Sequence, residues 1–167
     1  MSLRQNQVGD TIVEAMIAVM VITITIAGAY GVASRSLKAA RQAQERGEAL
    51  KLAEGQLETI KGITSGAVDA PGVDLSETDE VFCLNGVTKH DFGIGWGSTI
   101  KPVETDNLDD YPAGCVAPSG GLYHIATQVQ QLDTNRYQYT VTVRWFRIGT
   151  NAKDEVRMDY RLFLEAN

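Results

Sequence analysis

Histidine, tryptophan and cysteine each occur only twice in this 167-residue chain, and proline four times. His90 and His124 have no paired metal-ligand spacing, so the sequence gives no support for a metal centre. It contains no G-x-S-x-G, Walker A, C-x-x-C or H-E-x-x-H motif, and the expectation is a protein that is not an enzyme and uses no cofactor. Gly93-Ile94-Gly95-Trp96-Gly97 lacks the strand-to-helix context of a dinucleotide site and reads as a turn around a packed Trp96. An excess of positive charge is also missing. Lys and Arg number 15 against 21 Asp and Glu, a net charge of −6 that disfavours nucleic acid as a partner. At 44% hydrophobic and 22% charged residues, the chain is too apolar to be wholly disordered and too polar to be polytopic.

The most informative absence is local. The twenty residues from Ala15 to Ser34 carry no charge. As a helix they measure about 30 Å, the thickness of a bilayer's hydrocarbon core. Glu14 sits at the start of this run, and a carboxylate in the membrane is costly enough to imply a functional partner. The segment admits three readings. A cleaved secretory signal would place Gly31 and Ala33 before a cut at Ser34, with an apolar core longer than usual. A plain signal anchor explains the length but not Glu14. The third reading rests on Gly9-Asp10-Thr11-Ile12-Val13-Glu14 and the apolar helix that follows.

This stretch resembles the class III signal of type IV prepilins and pseudopilins. The resemblance implies cytoplasmic cleavage after Gly9 by a prepilin peptidase, methylation of the new amino group on Asp10, and assembly through Glu14. The family most often has Phe where this chain has Asp10. Cleavage would leave an α-amine, with a reference pKa near 7.7–8.0, at a helix end already carrying partial positive charge. Glu14 would pair with such an amine on a neighbouring subunit. Arg35, Lys38 and Arg41 follow the span while only Arg4 precedes it; that bias alone would turn the N-terminus outward.

The helical pattern continues past the span. Ser36, Ala40, Ala43, Gly47, Leu50, Ala53, Leu57 and Ile60 recur at steps of three and four, with charged residues between them. Arg41 and Glu45 form an i,i+4 pair on what reads as a solvated face. Gly62 supplies a stop. Within the span the run 21–26 is largely β-branched and Gly28 and Gly31 follow, so lipid rather than propensity must hold the helix. Alternating patterns then predict strands over 122–130, 137–148 and 156–165, joined by turns at 133–136 and 149–152. A short strand over 81–84 would join them. The apolar face of this sheet would lie on the Leu50, Leu57 and Ile60 side of the helix.

The expected fold class is α+β: a long N-terminal helix, transmembrane then amphipathic, packed on a small antiparallel sheet, as in pilins. The expected boundaries are a leader at 1–9, an assembly helix at 10–34, its amphipathic continuation at 35–61, an acidic loop region at 62–121 and the sheet at 122–167. The loop region holds ten acidic residues against Lys89 and Lys101. Asp74, Glu77, Asp79, Glu80 and Glu104, Asp106, Asp109, Asp110 are clustered, but neither group has an EF-hand pattern, and both read as solvated surface. Arg136, Arg144, Arg147, Arg157 and Arg161 read as cross-strand partners of acids such as Asp159 and Glu165. Cys83 and Cys115 are expected to form a disulfide outside the cytoplasm, worth roughly 3–4 kcal/mol in the chain-entropy model.

Residues 51–58 and 141–145 also resemble PilV-type minor pilins and minor pseudopilins of type II secretion. The resemblance implies a minor subunit of a type IV pilus or related secretion filament, with priming or adhesive work. Its partners would be other pilin or pseudopilin subunits, the prepilin peptidase, the inner-membrane assembly platform and, before assembly, lipid. It would reside in the bacterial cytoplasmic membrane and then in a surface or periplasmic filament. The alternative from another class is a membrane-anchored or secreted binding module that does not polymerise.

Overall fold

A computed structural model describes residues 10–75, 80–92, 108, 111–117, 122–150 and 152–163. The fold is α+β, with one long N-terminal helix packed on an antiparallel sheet. Helix α1 spans Asp10–Thr64. The strands are β1 (Val81–Asn85), β2 (Thr88–Asp91), β3 (Tyr123–Asp133), β4 (Arg136–Phe146) and β5 (Lys153–Phe163). They form one five-stranded sheet in the order β2-β1-β3-β4-β5, every neighbouring pair antiparallel. The chain divides into two compact units, Met1–Ala43 and Gln44–Asn167.

In the first unit α1 is unbroken through Gly28 and Gly31. Thr23 and Thr25 turn their hydroxyls back onto the carbonyls of Val19 and Ile22, so their polar groups are satisfied within the helix. Large apolar side chains from Ile12 to Leu37 are exposed around its surface.

In the second unit Glu45, Ala49, Ala53, Leu57 and Ile60 form the buried stripe of α1. Steps of four and three keep them on one face. The two alanines allow the helix to approach the sheet, and Leu57 and Ile60 fill the space beyond, against Phe82, Ile125, Val129, Tyr139, Val141 and Val143. Leu50, expected in this contact, is exposed instead. It stands about 100° around the helix from Ala49, which takes the core position. Gly62 does not end the helix. The chain leaves α1 after Thr64 through Gly66, whose φ of 72° suits glycine, with its N–H on the Ile63 carbonyl at 3.1 Å.

The three long strands form a meander as expected, with shifted ends. β3 continues to Asp133, where a bulge between Gln131 and Asp133 leads into a two-residue turn at Thr134–Asn135. β4 stops at Phe146, short of Ile148, and β5 begins at Lys153, earlier than expected. Lys153 pairs with Phe146 across the ladder, so polar residues without apolar alternation still extend the strand.

The sheet is covered on both faces near β1. Phe82 and Leu84 point to the helix side, while Val81 and Cys83 join a second small core with Ala126, Leu108, Tyr111 and Cys115. A 3-10 turn, Ala113–Cys115, brings Cys115 to Cys83, and the two form the expected disulfide. Gly114 passes so close to His90 that a Cβ there would lie 2.5 Å from the imidazole. Phe92, Tyr111 and His124 stack edge to face in turn, each pair with centroids 5.2 Å apart.

Candidate functional site

The candidate site is the exposed first part of α1. Asp10 is its first residue; Gly9 lies outside the described residues. Glu14, one turn later, is exposed and is the only charged residue between Asp10 and Arg35. The helix is long and apolar enough to cross a membrane, and none of that stretch is buried. Around Gly28 and Gly31 an added Cβ would meet nothing within 4 Å. An apolar helix surface with Thr23 and Thr25 internally bonded and one carboxylate has two chemical uses: solution in lipid, and packing against other helices.

The second unit contains a buried carboxylate that the sequence did not reveal. Glu45, expected on a solvated face, is only 6% exposed. Its carboxylate accepts the Trp145 indole N–H at 3.2 Å and the Ile148 backbone N–H at 3.3 Å. The Tyr123 hydroxyl donates to the Glu45 carbonyl at 3.3 Å and the Glu48 carboxylate at 2.9 Å. Burial, then the Glu48 hydrogen bond, push the Tyr123 phenol up to about 12. Hydrogen bonds from Gln44 and Tyr123 hold the Glu48 carboxyl below its usual range. The one available signal was spacing: Glu45 lies four residues before Ala49 on the face of Ala53 and Leu57.

A second clamp joins α1 to β1. The Gln56 side-chain amide donates to the Leu84 carbonyl and its oxygen accepts the Leu84 N–H at 3.1 Å. A helix glutamine thus completes the backbone hydrogen bonding of a strand residue.

The acidic segment is organised around a lysine where it is described. Lys89 Nζ reaches Glu80 at 2.5 Å, Asp91 at 3.5 Å and the Asp74 carbonyl at 3.0 Å. Burial still raises the Glu80 carboxyl above its ordinary value, despite the lysine. Glu77, Asp79, Glu104, Asp106, Asp109, Asp110 and the glycine-rich 93–97 stretch with Trp96 lie outside the described residues. Two of the five arginines pair with acids of β5, Glu155 and Asp154. Arg147 grips Asp154 through two contacts of 2.7 Å, and Arg144 meets Glu155 at 3.1 Å. Asp159 instead accepts the Thr140 hydroxyl at 2.6 Å, and Glu165 lies outside the described residues.

No family model matches the chain, and no curated protein or solved structure is significantly similar to it. The shape alone, a long apolar N-terminal helix on a small antiparallel sheet with a disulfide, is compatible with a pilin fold.

Proposed function

We infer that the protein is a minor structural subunit of a type IV pilus or related secretion filament. It is stored in the bacterial cytoplasmic membrane through α1, processed by a prepilin peptidase after Gly9 and assembled by helix packing. The observation that carries this reading is the helix itself: Asp10–Thr64 is helical throughout, and its exposed apolar part holds Glu14 as its one internal charge. In hydrocarbon that carboxylate is costly alone and much less costly beside an amine. The freed amine of Asp10 on an adjacent subunit supplies one, and the pairing sets the axial register between subunits. The disulfide-capped unit then forms the outward surface, suited to priming assembly or to adhesion.

Intact-mass measurement and N-terminal sequencing of the membrane-extracted protein test the reading. A start at Asp10, with or without a methyl group, is expected. A start at Ser34 would sink the filament assignment. An intact Met1 would favour the non-polymerising anchored module.

A further inference from the structure

We propose that the end of the folded unit bearing Leu122, Phe146 and Ile148 dips into the headgroup layer of the bilayer while the subunit is held in the membrane. This rests on the membrane reading of residues 15–34. Ile148 is 60% exposed, Leu122 45% and Phe146 43%. Tyr123 pairs with Trp145, so the same register places Leu122 opposite Phe146. Ile148 follows two residues later, where its backbone N–H is held by Glu45.

Tether length selects the occupant of this apolar end. From Ser34 to Glu45 the chain is continuous helix, a path of about 16 Å. At any angle of the helix, Glu45 therefore stays within that distance of the end of the uncharged stretch. The headgroup layer takes up roughly 5–8 Å of that distance on each side, and a tilted span closes more of it. Lys153 Nζ stands 5.9 Å from the centre of the Phe146 ring. A ring with an ammonium beside it suits the boundary where acyl chains meet phosphates. The opposite end of the sheet also exposes apolar groups, Leu132 at 46% and Phe163 at 64%. That end belongs with Lys61, which stands over Tyr160 of β5; sixteen residues of helix beyond Glu45 add about 24 Å to the tether. The Ile148 end therefore has the shorter tether to lipid.

The full-length chain has its two cysteines joined in the disulfide, so one introduced thiol can be labelled selectively. Ile148→Cys, Leu132→Cys and Ile22→Cys variants would each carry an environment-sensitive fluorophore in phosphatidylcholine vesicles with brominated acyl chains. The label at 22 should be strongly quenched, the label at 148 quenched about twofold or more relative to that at 132, and the label at 132 little affected, given the 5–10 Å depth of interfacial insertion. Equal, weak quenching at 148 and 132 with strong quenching at 22 would overturn the proposal and leave the membrane reading intact. Weak quenching at 22 would overturn both.

Discussion

The Glu45 carboxylate and the Trp145 indole N–H meet at 3.2 Å across 100 residues of sequence. The contact fixes one turn of α1 to the end of β4, and the second carboxylate oxygen holds the turn beyond it through Ile148. The indole donor is buried with the acceptor and the Ile148 amide supplies the second hydrogen bond, so both carboxylate oxygens are satisfied.

Removing this acceptor should be expensive. Glu45→Ala leaves two donors without their acceptor and is expected to cost about 2–3 kcal/mol, read as a lower urea midpoint of the detergent-solubilised chain. Glu45→Gln keeps one acceptor oxygen and should cost less. A cycle with Trp145→Phe isolates the pair; full additivity of the two changes would show that the contact contributes nothing.

Alkaline pH should loosen the fold through two tyrosines. Burial and the Glu48 hydrogen bond push Tyr123 up to about 12, and burial does the same for Tyr139, whose hydroxyl donates to the Leu75 carbonyl at 3.0 Å. In the unfolded chain both ionise near 10. Their folded values are raised, so the stabilisation is complete below about pH 10 and is lost as pH rises through about 12. The urea midpoint should fall over that window. Tyr123→Phe and Tyr139→Phe together should flatten the fall, and an unchanged slope in the double variant would count against this assignment.

Reduction should act locally before it acts globally. The Cys83–Cys115 bond joins residues 32 apart and holds the small core of Val81, Leu108, Tyr111 and Ala126. Cys83→Ser with Cys115→Ser is expected to cost roughly 3–4 kcal/mol. Hydrogen exchange should rise first in β1 and around Tyr111, while β4 and β5 remain protected. Alkylation of the native chain should change its mass only after reductant is added.

Glu14 and Asp10 should affect assembly without affecting the folded unit. Glu14→Val is expected to retain membrane insertion and lose about tenfold or more of its filament incorporation, because an apolar side chain costs nothing in lipid but cannot pair with an amine. If the Asp10 carboxylate competes locally for that amine, Asp10→Phe should raise filament content. Immunoblotting of sheared filaments against membrane fractions measures both; no gain with Asp10→Phe would remove the competing role.

Periodicity made most of the architecture legible. The alternation of Tyr139, Val141, Val143 and Trp145 identified β4, and the i, i+4, i+7 spacing of Ala53, Leu57 and Ile60 identified the helix face. Phasing failed where the stripe is built from small residues, because hydrophobicity does not distinguish Ala49 beneath the sheet from Leu50 beside it. Strand β2 was illegible for another reason: Thr88, Lys89, His90 and Asp91 form an edge strand without buried apolar alternation. Glu45 was hidden because its partner lies far away in sequence. The second core was hidden because most of its members are scattered through a Gly- and Pro-punctuated acidic segment and become neighbours only in the folded unit.

The distance between Glu45 and Trp145 along the chain also imposes an order of events during synthesis. Glu45 leaves the ribosome 100 residues before the tryptophan that seals it, and the apolar stretch of α1 leaves earlier still. Until β4 has been made, the helix surface that receives the sheet has nothing to cover it. Closure of the folded unit therefore waits for β4, and a chain truncated before Trp145 would leave the Glu45 carboxylate without its indole partner.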